Sequence, residues 1–300
     1  MFSAALEQAE QLFTAAGAAD ARIRPMLLFY GISQASRAIA AAAKDPELNG
    51  KGRWQIVGHG LSCDDRKSRG LHPSNLAETQ MVAAGGLKSG LRTMQRVLGS
   101  PAWKVDYPVE LGEVFAALPT LPTFPGRDDW PAAQFEARLR PPHFDAPEHH
   151  VTAWVLRVAP DDDRTWARFA EVPNHYGPLA GTTMKPENSV YPVNEQGFLV
   201  PLIAELPVQR QPRYKLTPGG PQPEWFTPDL AGATGNQHPF VLWWAVLFAL
   251  SMRARYEPEG WTGDLNPDTC AYATLLQEVL TQALTECPTL ILQAIRDVSA

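Results

Sequence analysis

His59 has the strongest claim to chemistry by its immediate setting, because it stands between two glycines in Gly58–Gly60. An imidazole changes charge near neutral pH, so it serves as a general base with little tuning. Glycine on both sides lets the backbone seat the ring closely or lets a ligand approach the chain. A histidine bonded to backbone in a sharp turn is the alternative. Positive charge gathers in the same part of the chain. Between Lys51 and Lys104 nine lysines and arginines, Lys88 and Arg92 among them, stand against Asp64, Asp65 and Glu78, a formal +6 that leaves −12 for the remainder of a chain whose net charge is −6. Such a window suits an anionic ligand such as phosphate or RNA, or simply a solvated basic face. A second cluster, Arg253, Arg255, Tyr256 and Glu257, ends a long apolar run. Arg253 and Glu257 are spaced i,i+4 and pair on one helix face, while Arg255 is left to hold a phosphate, a carboxylate or an acid elsewhere in the chain. Arg37 lies among the polar residues Tyr30, Ser33 and Gln34 of an otherwise apolar segment. The polar knot His143, Asp145, Glu148, His149 and His150 offers metal-ligand types, but adjacent His149 and His150 before a strand point to opposite sides, so a solvated loop is expected and no metal.

The absences narrow the chemistry. There is no G-x-S-x-G elbow, since Gly86–Gly90 has the wrong spacing. Neither a phosphate-binding P-loop nor a dinucleotide fingerprint is present, so no nucleotide cofactor is expected. Cys63, Cys270 and Cys287 are odd in number and form no C-x-x-C, which points to neither a disulfide framework nor a zinc site. With acids early and no apolar core in its first residues, the N-terminus is unlike a secretory signal, so a reduced, cytoplasmic setting is expected.

The elements that must position these residues are legible in part. His238–Glu257 contains eleven consecutive apolar residues, Phe240–Leu250, with Pro239 and Pro258 marking its ends. That is a helix apolar on every side, expected in the middle of a core. It is too short to cross a membrane, which takes about 20 apolar residues. Met26–Lys44 is predicted helical, with Pro25 at its first turn and alanines beyond. Ser3–Ala16, Gly112–Leu118, Asp161–Glu171, Thr269–Thr285 and Pro288–Val298 are further predicted helices. Thr79–Ala84, Val151–Val158, Ser189–Val193 and Gly197–Leu206 are predicted strands. Leu121–Pro147 shows no clear period and is expected to be a loop or an extended segment, and Pro212–Gly235 is a further proline- and glycine-rich passage. The chain has 28 prolines, gathered between Pro101 and Pro228, which argues for short elements there. An apolar content of 45% supplies a sizeable core for 300 residues. The expected fold is α+β and mostly helical, with residues 1–50 and 236–300 forming one bundle and 51–235 a β- and loop-rich insert.

Several stretches together resemble the YaaC-like family of bacterial proteins: Pro25–Ile39, Gly58–Ser62, Gly85–Leu91 and Leu247–Trp261, followed by Cys287–Leu292. Their order and spacing match over most of the chain, least in the proline-rich middle, and Arg255–Trp261 is the most specific part. The N-terminal helix followed by a His-Gly segment also resembles the helical HEPN superfamily, many of whose members are metal-independent RNases or toxin and antiphage components. HEPN nucleases carry Arg, four to six residues, then His, and Arg66 to His72 has five between. Lys67 departs from the polar residue usual after that arginine, and Arg69 is too close to His72 to fit. The resemblance thus implies a histidine (His59 or His72) that takes a proton from a ribose 2′-hydroxyl and an arginine (Arg66 or Arg255) that meets charge on the phosphate, commonly across a homodimer. The other reading is a non-catalytic interaction protein that docks a protein or anionic partner through its basic window, with no membrane involved.

Overall fold

The structure, a computed structural model, describes residues 2–43, 56–63, 76–105, 107–118, 120–121, 124, 174–176 and 227–299, with the backbone of a set of strands between 133 and 226. Arg66, His72, the polar segment 143–149 and the expected helix Asp161–Glu171 lie outside the described residues. The fold is α+β and mostly helical, as expected. Helix α1 (Phe2–Ala18) buries Ala5, Ala9, Phe13 and Ala16, one face of a 3.6-residue period. Helix α2 (Arg24–Ala42) has Pro25 in its first turn and packs along α1. Gly31 permits that approach, because a Cβ there would lie 3.1 Å from the Phe13 ring. Arg24 closes the end of α1 by donating to the Ala16 and Ala19 carbonyls at 3.1 and 2.8 Å. The Ala16 carbonyl belongs to the last turn, whose carbonyls find no donor within the helix, and the Ala19 carbonyl follows just beyond it.

Helix α5 (Pro239–Tyr256) is the centre of the core, with Phe240–Leu250 buried on every side. It packs against α2, against the short helices α3 (Gly90–Val97) and α4 (Leu111–Ala116), and against the last helix, α7 (Ala273–Ser299). Its start is built from buried polar residues that satisfy one another. Asn236 Oδ1 accepts from the Thr227 amide at 2.6 Å, and Gln237 Oε1 accepts from Trp103 Nε1 and Ser100 Oγ, each at 3.2 Å. His238 caps the helix by accepting the Phe240 amide on Nδ1 at 3.0 Å.

Its far end is tied down by the segment Arg253–Trp261. Arg253 is buried, 6% exposed, and its Nε lies 2.8 Å from Asp264 Oδ2 on helix α6 (Pro258–Asp264) while Nη1 pairs with Glu257. Gly260 makes room for the guanidinium, since a Cβ there would stand 2.5 Å from Nη2. Trp261 is buried and donates Nε1 to the Ala21 carbonyl at 3.3 Å, joining α6 to the α1–α2 turn. A buried charge is costly unless paired, and Glu257 and Asp264 pair it here, although Nη2 makes no hydrogen bond among the described residues.

Two antiparallel sheets accompany the helices. The smaller joins β1 (Leu61–Cys63), β2 (Gln80–Ala83) and β3 (Val109–Glu110), with Leu61 opposite Ala83 and Met81 opposite Val109. The larger joins β4 (Ala133–Ala137), β5 (His150–Val155), β6 (Lys185–Pro186), β8 (Phe198–Glu205) and β9 (Glu224–Phe226) in the order β6-β8-β5-β4-β9, with β7 (Tyr191–Pro192) also on β8. Strand β4 lies in the stretch expected to be loop or extended, and β9 in the proline- and glycine-rich passage from Pro212 to Gly235. One helix, α7, replaces the two expected around Pro288. Proline removes one hydrogen bond there, but the buried stripe Val279, Leu280, Ala283, Cys287, Leu290 and Ile291 continues across it, and tertiary packing of such a stripe outweighs a local defect. The core takes side chains from all these helices and from Leu61, Met81, Leu91, Trp103 and Phe115.

Candidate functional site

The Gly58–Gly60 loop and the Gly85–Leu91 segment form one unit. The Gly58 and His59 carbonyls accept the first two amides of α3, from Gly90 at 3.2 Å and Leu91 at 3.0 Å. Ser89, at the N-cap position, makes no side-chain cap, so the loop's carbonyls do that work. Trp244 of α5 donates Nε1 to the same His59 carbonyl at 3.2 Å. Glycine is required at both contact points. A Cβ on Gly60 would meet Ser89 Oγ and Leu91 N at 2.8 Å, and Gly60 has φ +85°. A Cβ on Gly90 would meet the Trp244 ring at 2.5 Å. The backbone of His59 is therefore held by α3 and α5 together.

That grip sets the imidazole on an aromatic floor. The Phe29 ring stands edge-on to it at 4.9 Å between centroids, with Phe248 at 6.0 Å. Phe29 also meets Trp244 and Phe248 edge-on at 5.6 and 5.5 Å, so the floor is where α2 and α5 cross. Above the crossing the two helices carry polar side chains. Arg255 Nη1 donates to the Tyr30 hydroxyl at 3.3 Å. Arg37, one α2 face along from Tyr30, donates to Gln34 Oε1 at 3.1 Å and to the Ser33 carbonyl at 3.3 Å. Half-burial lowers the proton affinity of His59 first, and the charges of Arg37 and Arg255 lower it further. The neutral form of the ring is thus favoured, with two guanidinium groups close enough to feel it. Among the described residues neither Arg37 nor Arg255 has a carboxylate partner.

The profile of the YaaC-like Protein family matches residues 1–295. The chain belongs to the YaaC-like family. No curated protein matches it, and no solved structure does. Of the site residues expected from the sequence of this family member, the structure brings together His59, Arg37 and Arg255. Arg253 and Glu257 face Asp264 and one another instead, inside the joint between α5 and α6. Lys88 is exposed on the turn before α3, with its carbonyl accepting the Val57 amide at 2.9 Å. Arg92 is half-buried on α3. Tyr30 was not singled out by sequence, although it lies seven residues before Arg37 and so shares its helix face, a signal that was available. No His, Cys, Asp or Glu cluster suited to a metal ion occurs among the described residues, and no helix among them is long and apolar enough to cross a membrane.

Proposed function

We propose that the His59 site binds a phosphodiester of RNA and cleaves it, as an RNase of the HEPN type. One observation carries the reading: an imidazole whose neutral form is favoured, beside two arginines that have no carboxylate partner among the described residues. Neutral imidazole is the form that accepts a proton, and unpaired guanidinium is the form that binds phosphate oxygens in a fork. In the reaction His59 takes the ribose 2′-hydroxyl proton and the 2′-oxygen attacks phosphorus. Arg37 and Arg255 meet the charge that builds on the non-bridging oxygens. The bond to the 5′-oxygen breaks, and we assign the Tyr30 hydroxyl as the donor that returns a proton to it. The products are a 2′,3′-cyclic phosphate and a 5′-hydroxyl. Arg253 and Glu257 are assigned to structure, and Arg66 and His72 remain candidates for a second half of the site, including one shared in a homodimer.

The test is cleavage of a labelled single-stranded RNA by the wild type and by His59→Ala, His72→Ala and Arg255→Ala, with product ends identified. Loss in His59→Ala and Arg255→Ala, with folding retained, supports the reading. Equal cleavage in all four proteins assigns the activity to a contaminant or to other residues and ends it.

A further inference from the structure

The far side of Arg255 carries a feature the cleavage chemistry does not use. The Arg255 guanidinium lies 5.1 Å from the centroid of the Tyr256 ring while it also reaches the Tyr30 hydroxyl at 3.3 Å. Tyr256 is 61% exposed and Tyr30 41%. The Arg255 cation over one side of the Tyr256 ring leaves the rest of the ring exposed and able to take a second partner.

We infer that Tyr256 is a stacking platform for a nucleobase, so that the ligand of this site is an unpaired nucleotide in single-stranded RNA and not a duplex. The inference rests on the reading of Arg37 and Arg255 as phosphate ligands, and adds what lies beside the phosphate. Arg255 binds the backbone, and the adjoining ring receives the base attached to it. A base offers its face only when it is unstacked from its neighbours, so paired RNA cannot use the ring. Stacking of this kind tolerates every base, and no sequence preference is expected from it.

The experiment is fluorescence anisotropy with a fluorescein-labelled 2′-O-methyl RNA, which lacks the hydroxyl needed for cleavage. Three probes are compared: the single strand, its full duplex, and an abasic strand of the same length. The wild type binds the single strand about tenfold more tightly than either of the others, the size of one base stacked on an aromatic ring. Tyr256→Ala lowers single-strand affinity to the abasic level and leaves abasic binding unchanged, while Tyr256→Trp keeps the difference. Thermal unfolding of each variant confirms that it folds. Equal weakening of both strands by Tyr256→Ala overturns the inference, because the ring then acts by holding Arg255. Duplex binding as tight as single-strand binding overturns it too. If single and abasic strands bind alike, and Arg255→Ala weakens both, the phosphate reading stands and stacking falls. If the wild type binds none of the probes, both fall.

Discussion

His238 is the most exacting test of how α5 is held. The ring is fully buried, its Nδ1 accepts the Phe240 amide at 3.0 Å, and burial pushes its pKa down from 6.5 to about 3. Protonating Nδ1 removes the cap and places a charge inside the core. The folded protein therefore keeps the ring neutral while the unfolded chain takes up a proton as the pH falls below 6.5. Because the folded-state pKa is lowered, this stability is fully present above about pH 6.5 and is lost progressively as pH falls toward 3. The whole shift amounts to about 5 kcal/mol at 1.36 kcal/mol per unit. Between pH 7 and pH 5 the proton uptake of the unfolded chain lowers stability by about 2 kcal/mol. His238→Asn supplies a capping side chain that does not titrate. Other groups titrate equally in both proteins, so the difference between them isolates His238. Urea unfolding followed by tryptophan fluorescence at the two pH values measures it. The wild type loses about 2 kcal/mol more than His238→Asn on going from pH 7 to pH 5. Equal losses in the two proteins, with unchanged denaturant slopes, would refute the claim that this imidazole is buried and neutral.

Three further outcomes follow from contacts around the site. Gly90→Ala drives a methyl into the Trp244 ring and costs about 1–3 kcal/mol by urea unfolding; because Trp244 holds the His59 carbonyl, RNA cleavage falls in the same variant. Arg255→Gln removes one of the two charges that depress His59, so its imidazole resonances titrate at higher pH by NMR than in the wild type, while an unchanged titration would place Arg255 away from the ring. Asp264→Ala leaves buried Arg253 with Glu257 alone and lowers stability by about 3 kcal/mol, whereas RNA binding per folded molecule is unchanged if that pair is structural.

The elements were more legible than the site. Phe240–Leu250 announced a core helix because a long apolar run between prolines has few other uses, and Pro25 with its alanines announced α2 for equally local reasons. Strand β4 was not picked out of a stretch expected to be loop or extended, although Ala133, Phe135 and Ala137 alternate with Gln134 and Glu136, because five residues of alternation are easily lost in a proline-rich stretch. The break expected at Pro288 failed because local propensity is weaker than a buried stripe that runs past it. The convergence of Arg37, His59 and Arg255 depends on where α2 and α5 cross. That crossing is set by Phe29 and Phe248 meeting edge-on at 5.5 Å, a fact of tertiary packing that no spacing along the chain encodes. Residue types nominated the three singly, but could not say that Arg253 turns inward while Arg255, two positions on, turns toward His59.

Two described histidines, His238 and His59, sit against apolar surroundings in different ways. His238 shows what a structural histidine looks like in this fold: fully buried, and spent on capping a helix. His59 differs at each point. Its backbone carbonyl, not its ring, makes the structural bonds, to Leu91 and Trp244. Its ring is only half-buried, and the nearest charges it feels are arginines, which a purely structural imidazole gains nothing from. Three glycine contacts too tight for any other residue (Gly60 against Ser89 and Leu91, Gly90 against Trp244) serve to fix a ring that then does no packing work a phenylalanine could not do better. An imidazole held so firmly with part of the ring left open is what the proposed role of His59 as a base requires. The glycines of Gly58–Ser62 and Gly85–Leu91 meet in that one packed unit.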